Sequence, residues 1–402
     1  MRSAFEELVR SGDLTVVEAI EIPPRAERRR KIPDVFEQGA IGKWIRDTIA
    51  SDGTLWQHQS LALDALARGL NVAVATGTAS GKSLIFQIAV LEALVRSDAR
   101  SLVLYPLKAL LGDQLLRWRD LARQLGFSSE IVAELHGHVL TEDRLNAVRS
   151  ARVIVATPDV IHAWFMRQAA SPLFKDYLRG MRYLILDEAH VYESVFGSNF
   201  AYLMRRFLSV YRRAIREKGP KHTLQLIATT ATISDPEQHL SRLTGWQFDV
   251  VSDSEDGSPS HRRTLYHIEG PDTGNPAEVM LADVLHRTVS GGRDGAFIAF
   301  HNSRQGVERV ARTVDQEDVF PYRSGYEIVD RARIERALRA GQIRGVISTS
   351  ALELGIDIPN FSLGLNLGVP QSRKSFRQRI GRVGRAGAGV FGVIAPRYAF
   401  AR

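Results

Sequence analysis

The 402-residue sequence contains no cysteine. That excludes disulfides and thiolate metal sites, and with them the cysteine-held form of zinc. No apolar run approaches the roughly 18 residues that a membrane span needs. Residues 1–7 lack the apolar core of a signal peptide, so a cytoplasmic location without membrane contact is the default expectation. Lysine is scarce: there are eight, and arginine dominates the 53 basic residues that face 45 acidic ones, for a net charge of +8. This balance mildly favours a polyanionic partner; a basic surface without one is the plain alternative. An apolar content of 44% and a charged content of 24% suit a globular protein. The length suits two or three domains.

What is present is organised around Thr76-Gly77-Thr78-Ala79-Ser80-Gly81-Lys82-Ser83. An apolar run at 72–75 reads as a buried strand before it, and 84–89 reads as a helix start after it. Strand, small-residue loop, Gly-Lys-Ser and helix together form the context of a phosphate-binding loop. Backbone N–H groups there converge on an anion. Lys82 can reach the outer phosphates, and the Ser83 hydroxyl can hold Mg²⁺. A surface turn with a chance Gly-Lys-Ser is the bland alternative, which the flanking strand and helix disfavour. The first position holds Thr76 where the usual pattern has glycine.

Residues 1–44 carry charge runs, the densest being Arg28-Arg29-Arg30-Lys31, broken by Pro23-Pro24 and Pro33. They read as an accessory arm whose basic run is either a phosphate contact or a solvated face. In Leu55-Trp56-Gln57-His58-Gln59, the Gln59 amide offers the donor and acceptor that adenine needs. Short apolar runs at 102–105, 131–135, 153–156, 183–186 and 224–228 alternate with helical patterns. A parallel sheet with helices on both faces is expected over 45–250. Function collects at the carboxyl ends of such strands. Polar clusters fall there: Pro106-Leu107-Lys108, Thr157-Pro158-Asp159, Asp187-Glu188-Ala189-His190 and Thr229-Thr230-Ala231-Thr232.

A Ser-, Asp- and Gly-rich stretch marks a flexible connector over 251–262. A second alternating block follows over 263–402, with strands expected at 296–300, 346–348 and 390–395. Its helix from about Arg373 carries Gln378-Arg379-Ile380-Gly381-Arg382-Val383-Gly384-Arg385. This block has no phosphate loop, so one nucleotide is expected to sit between the two blocks.

Phosphoryl transfer to water needs charge neutralisation, a positioned water and a cation on the developing charge. Asp187, after an apolar strand, is placed to hold Mg²⁺, and Glu188 to orient or deprotonate the attacking water. Paired acids after a strand otherwise cap helices. His190 can link the nucleotide to Thr230 or Thr232. Arg382 and Arg385, three apart, share one side of a helix and can fork onto phosphate oxygens, with Gln378 one turn earlier. Lys108, Thr157, Asp159, Ser303, Arg304 and Thr349 suit a sugar-phosphate strand, whose contacts position without reading sequence. Asp159 is equally a helix-capping residue. His136-Gly137-His138 has no third metal ligand nearby and reads as a polar loop.

As a set, the phosphate loop, Asp-Glu-Ala-His, Thr-Ala-Thr and Gln-x-x-Gly-Arg-x-Gly-Arg resemble superfamily 2 helicases. Tyr105-Pro106-Leu107-Lys108-Ala109-Leu110, Asp113-Gln114, Phe196-Gly197-Ser198, Arg323-Ser324-Gly325-Tyr326 and Ala351-Leu352-Glu353-Leu354-Gly355-Ile356-Asp357 are similar to the mitomycin repair factor A type of DNA helicase. That family is distantly related to the RecQ and Lhr helicases. The resemblance implies two tandem RecA-like α/β domains, each a mostly parallel sheet, with the nucleotide in the interdomain cleft. It also implies ATP and Mg²⁺ as cofactors, Gly355 and Asp357 among the nucleotide contacts, and 3′-to-5′ translocation on single-stranded or tailed DNA in repair or defence. An RNA helicase and a nucleotide-gated DNA clamp are the alternatives. Three departures qualify this. The family's zinc-binding C-terminal domain uses cysteines, so a fragment, a minimal relative or one product of a split system, with a protein partner supplying those functions, is expected. His136-Gly137-His138 replaces an Asp-Gly-Asp of relatives. Little room lies between Asp357 and Gln378 for a strand-splitting hairpin.

Overall fold

The computed structural model describes residues 1–231, 233–271, 275–292, 295–323, 326, 328–353 and 361–397. They form two units, Glu27–Ser258, and Met1–Ala26 together with Pro259–Arg402. The strands are β1 (Val16–Ile22), β2 (Arg29–Lys31), β3 (Thr54–Trp56), β4 (Val72–Ala75), β5 (Arg100–Leu104) and β6 (Val132–Leu135). They continue as β7 (Val153–Ala156), β8 (Met181–Leu186), β9 (Gln225–Thr230), β10 (Asp249–Val251) and β11 (Arg263–Glu269). The last are β12 (Ala296–Phe300), β13 (Val319–Tyr322), β14 (Gly345–Ser348), β15 (Phe361–Leu367) and β16 (Gly389–Ala395). The helices that frame the sites are α1 (Arg2–Arg10), α2 (Gln57–Ala67), α3 (Lys82–Arg96), α4 (Ser194–Lys218) and α5 (Arg373–Ile380).

In the unit of residues 27–258, one seven-stranded sheet runs β10-β4-β9-β8-β5-β7-β6. Every pairing in it is parallel. Helices cover both faces of such a sheet, which is why β4 and β9 are buried at every position and β4 reads as a continuous apolar run. Alternate side chains of one strand enter opposite cores. Val103 packs with Phe86 and Trp118 on one face, Leu102 and Leu104 with Phe165 and Phe207 on the other. Helix α3 is apolar nearly all round, and its residues from Ile85 to Leu94 are buried, as such a pattern demands.

In the other unit the order is β1-β11-β16-β15-β12-β14-β13. Only β1 runs antiparallel to its neighbour. Helix α1 sets Phe5 into this core, 6.0 Å from the Tyr266 ring. As an edge strand, β1 is mostly exposed, and Glu18 and Glu21 on it discourage pairing with another chain.

The first 44 residues, expected as one accessory arm, are divided. Residues 1–26 fold with 259–402, while β2 pairs with β3 in the other unit. The connector expected to be flexible over 251–262 is ordered up to Ser258. The backbone N–H of Ser252 donates to Glu255 Oε2 at 2.8 Å, a 3-10 turn covers Asp253–Glu255, and Asp256 and Ser258 are buried. Its polar side chains cap the backbone instead of leaving it to solvent, which composition alone does not show. Among the described residues, no helix is long and apolar enough to cross a membrane.

Candidate nucleotide site

β4 ends at Ala75, and the loop 76–81 leads into α3, whose first residue is Lys82. Gly81, the N-cap, has φ +69°. A Cβ there would lie 2.8 Å from Gln59 Nε2 and 3.0 Å from the Trp56 ring, so glycine is required both by conformation and by space. Ala79 also adopts positive φ, 63°. Within the loop, the Thr76 and Ser80 hydroxyls are 2.7 Å apart, and Ser80 Oγ donates to the Gly77 carbonyl at 2.9 Å. Gln59, expected to read adenine, has its amide engaged by the backbone. Trp56 N–H donates to Oε1 at 3.1 Å, and Nε2 donates to the Gly81 carbonyl at 3.0 Å. In this structure it braces the phosphate loop. Thr78 lies on the loop and Ser83 in the first turn of α3.

Lys82 Nζ donates to the carbonyls of Gly77 at 2.6 Å and Thr76 at 3.1 Å. Burial pushes its pKa down, while the carboxylates of Glu188, Asp187, Asp256 and Asp253 pull it back up. Lys82 and the two acids after β8 therefore converge within one unit. Burial and the neighbouring Glu188 charge push Asp187 up to about 7. The Thr229 hydroxyl and the Glu188 N–H (3.0 Å) donate to Asp187 Oδ1 and act in the opposite direction. Glu188 sits at φ +50°, a conformation costly for a non-glycine residue and typical of functional turns. His190 is buried; its Nδ1 accepts the Ala231 N–H at 3.0 Å and lies 3.3 Å from Glu188 Oε2. His190 thus meets the segment after β9 through the backbone of Ala231, where a link to Thr230 or Thr232 was expected. The Thr230 hydroxyl donates to the Ala231 carbonyl at 3.0 Å. Thr232 lies outside the described residues, as do Gly355 and Asp357.

The donor set suits Mg²⁺. A hydroxyl on Ser83 and one carboxylate on Asp187 are hard oxygen ligands, and Mg²⁺ takes few protein ligands beside substrate phosphates. A carboxylate held at a raised pKa in a buried pocket is one whose charge a divalent cation stabilises.

In the other unit, α5 carries Gln378, which is buried. Arg382 and Arg385 do not share a face of this helix. It ends at Ile380 with Gly381 as C-cap, Val383 bridges to Phe361, and the Gly384 N–H donates to the Phe361 carbonyl at 2.9 Å. The two arginines lie on a turn tied to β15, because two glycines and a strand contact break the helix that spacing suggested. Arg382 is buried and its Nη2 donates to the Glu353 carbonyl at 2.7 Å; Arg385 Nε donates to the Gly381 carbonyl at 3.0 Å.

Pro106 and Lys108 follow β5, and Thr157, Pro158 and Asp159 follow β7, all at strand carboxyl ends of one sheet. Asp159 is exposed and Thr157 buried. Thr157, not Asp159, is the N-cap residue of the short helix there. In the other unit, Ser303 caps the helix that begins at Arg304, its Oγ accepting the Gly306 N–H at 3.2 Å. Thr349 caps a 3-10 turn after β14, accepting the Ala351 N–H at 3.4 Å. His136 pairs with Glu134 at 3.1 Å. Among the described residues no group of three or more potential His, Asp or Glu metal ligands occurs.

Three residues with site contacts had no role from sequence. Thr229 touches Asp187 because β8 and β9 pair with Leu186 opposite Ala228, which places 187 beside 229. Only the strand register reveals that. His58 touches the loop at Ser80, and Asp256 lies beside His58; both contacts join distant positions.

Two family descriptions match the chain: DEAD/DEAH box helicase over residues 56–240, and helicase conserved C-terminal domain over residues 280–387. The chain is 31% identical over 354 residues to the ATP-dependent helicase HRQ1 of Saccharomyces cerevisiae, covering 82% of this chain and 32% of that protein. It is 30% identical over 395 residues to the uncharacterized ATP-dependent helicase YprA of Bacillus subtilis, covering 93% and 50%. The chain thus spans between a third and a half of the length of these relatives. The crystal structure of the DUF1998 helicase MrfA bound to DNA and AMPPNP is similar to it, with a TM-score of 0.87 and 27% identity over 98% of this chain and 55% of that one.

Proposed function

The chain belongs to the superfamily 2 DEAD/DEAH box helicases, in the branch related to MrfA and Lhr, and from that premise we propose that it is an ATP-hydrolysing motor that moves along single-stranded DNA. The observation that carries this reading is that Lys82, hydrogen-bonded to the Gly77 and Thr76 carbonyls of the loop, lies within electrostatic reach of Asp187 and Glu188. Loop N–H groups and Lys82 bind the phosphates. Ser83 and Asp187 would hold Mg²⁺, which supplies charge neutralisation on the phosphate oxygens. Glu188 orients the attacking water and accepts its proton. The family resemblance assigns Arg382 and Arg385 the role of arginine finger, worth roughly 10³–10⁵ in rate.

DNA as the track is supported by the DNA complex of MrfA. Pro106, Lys108, Thr157, Pro158, Asp159, Ser303, Arg304 and Thr349 are its proposed contacts. The 3′-to-5′ polarity, a role in repair or defence, a cytoplasmic location and a protein partner for the C-terminal functions rest on the family resemblance. The test is ATPase rate against matched single-stranded DNA, duplex DNA and RNA. Stimulation by single-stranded DNA well above the others is expected. Stronger stimulation by RNA would make this an RNA helicase, and no turnover with any of them would remove the motor.

A further inference from the structure

Two consecutive side chains of α2 hold two consecutive carbonyls of the phosphate loop. His58 Nε2–H donates to the Ser80 carbonyl at 2.8 Å, and Gln59 Nε2 donates to the Gly81 carbonyl at 3.0 Å. A trans peptide points its N–H opposite its C=O. Holding the Ser80 carbonyl therefore aims the Gly81 N–H, and holding the Gly81 carbonyl aims the Lys82 N–H, both away from α2. Those two N–H groups open the helix N-terminus that receives phosphate. His58 is fully buried, and its ring lies 6.2 Å from that of Trp56 at 28°, so the imidazole has little freedom of its own.

The other ring nitrogen faces the segment that ends this unit. Nδ1 accepts the Gly257 N–H at 3.3 Å and lies 3.4 Å from Asp256 Oδ1; that carboxylate is fully buried and also accepts the Ser258 N–H at 2.9 Å. Gly257 is packed so closely that a Cβ would meet the Arg28 carbonyl at 2.3 Å and the Gln57 nitrogen at 2.6 Å. Arg28 binds the same segment: its N–H donates to the Gly257 carbonyl at 2.9 Å, and Nη2 donates to the carbonyls of Ser254 at 2.7 Å and Asp256 at 3.0 Å. The first and last stretches of this unit, just after Glu27 and just before Ser258, are thus hydrogen-bonded to each other beside His58.

We infer that His58 is a positioning residue that aims the phosphate-loop N–H groups, and that Asp256 and Gly257 make its orientation depend on the chain segment leading out of the unit. The inference rests on the reading of 76–83 as a phosphate loop. A nucleotide that moves the Ser80–Gly81 peptide moves the imidazole, and through it the segment 253–258. Conversely, displacement of that segment loosens the loop. One histidine joins nucleotide occupancy to the connector.

The test compares wild type, His58→Ala, His58→Gln and Asp256→Asn in the full chain. Amide hydrogen exchange over 253–258 is followed with and without ADP, beside ATP KM, kcat and the Kd for single-stranded DNA. Groups that orient the ligands of a metal are worth roughly 10–100-fold; on the same scale, His58→Ala is expected to raise ATP KM by that factor with little change in the Kd for DNA. Gln retains a donor at the Nε2 position, so His58→Gln recovers much of the KM. It still breaks the link to Asp256, so exchange over 253–258 ceases to respond to ADP. Asp256→Asn weakens that response while sparing KM more than His58→Ala does. The inference is overturned if exchange over 253–258 in wild type is indifferent to ADP, or if His58→Ala and His58→Gln lower activity only in proportion to lost folded protein. Should His58→Ala not fold, the wild-type exchange and Asp256→Asn decide it. Wild type that binds no nucleotide would instead remove the phosphate-loop reading itself.

Discussion

The ammonium of Lys82 donates to the carbonyl of Gly77 at 2.6 Å, five residues back along its own loop. A buried cation held by neutral carbonyls remains poorly compensated, and burial lowers its pKa. Phosphate is the stronger partner, because it sets a full opposite charge against the ammonium where a carbonyl offers only a dipole. Lys82→Met should therefore cut ATP turnover by at least about 10²-fold, the scale of losing one electrostatic stabiliser. It should leave the thermal midpoint without nucleotide unchanged or higher. Lys82→Arg should not rescue, since its planar fork cannot occupy the same point. Steady-state ATPase and thermal melts check both halves; turnover at the wild-type rate in Lys82→Met would refute the assignment.

Asp187 gives the fold a pH dependence of defined sign. Its folded pKa is raised to about 7 by burial and by Glu188, above the unfolded value near 3.9. Between these values the folded chain binds more protons than the unfolded one, so the stability contribution is full below pH 4 and is lost as pH rises through 7. A shift of this size corresponds to at most about 4 kcal/mol. Asp187→Asn removes it. The wild type minus variant difference in unfolding free energy, measured without Mg²⁺, should move against the wild type from pH 5 to pH 8. A difference flat across that range would show that the carboxylate titrates normally.

Thr229 tests the same carboxylate from the other side. Its hydroxyl donates to Asp187 Oδ1, which stabilises the ionised form. Thr229→Val keeps the shape and loses the donor. The acidic limb of the pH–rate profile should then move up by about one unit, with rates near pH 9 close to wild type. A limb that stays in place would mean that Asp187 ionisation does not set it.

The elements visible in the sequence are those whose reasons are local. β4, β7 and β12 are short continuous apolar runs, and all but one of their residues are buried. The loop 76–83 announces itself by composition and context. Others hide for physical reasons. β13 contains Pro321, tolerated because it is an edge strand. β1 is mostly exposed and takes its partner from β11, more than 240 residues later. Thr229 and His58 become site residues only through strand register and through a contact 22 positions along the chain. The spacing of Arg382 and Arg385 suggested one helix face, but it could not show that α5 stops at Gly381.

A buried polar network in the unit containing Pro259–Arg402 centres on Arg379, the neighbour of Gln378. Its Nε donates to Glu353 Oε1 at 2.7 Å, Nη1 to Asn366 Oδ1 at 2.6 Å and Nη2 to Asn302 Oδ1 at 3.3 Å; the guanidinium carbon lies 4.9 Å from the Phe300 ring centre. Glu353 also accepts from Ser375 Oγ at 2.8 Å, and its carbonyl accepts from Arg382 at 2.7 Å. The pair therefore holds the segment that positions Arg382. Breaking a buried pair from one side strands the other charge, at a cost of about 3–5 kcal/mol. Arg379→Ala should lose that much in urea unfolding, and Arg379→Lys should recover only part, since an ammonium cannot serve three planar acceptors. The double variant Arg379→Met/Glu353→Met should regain stability, because no charge remains buried. Its kcat should stay low, because Arg382 has lost the fixed Glu353 backbone. Recovery of kcat together with stability would mean that the network only holds the fold and that Arg382 finds its place without it.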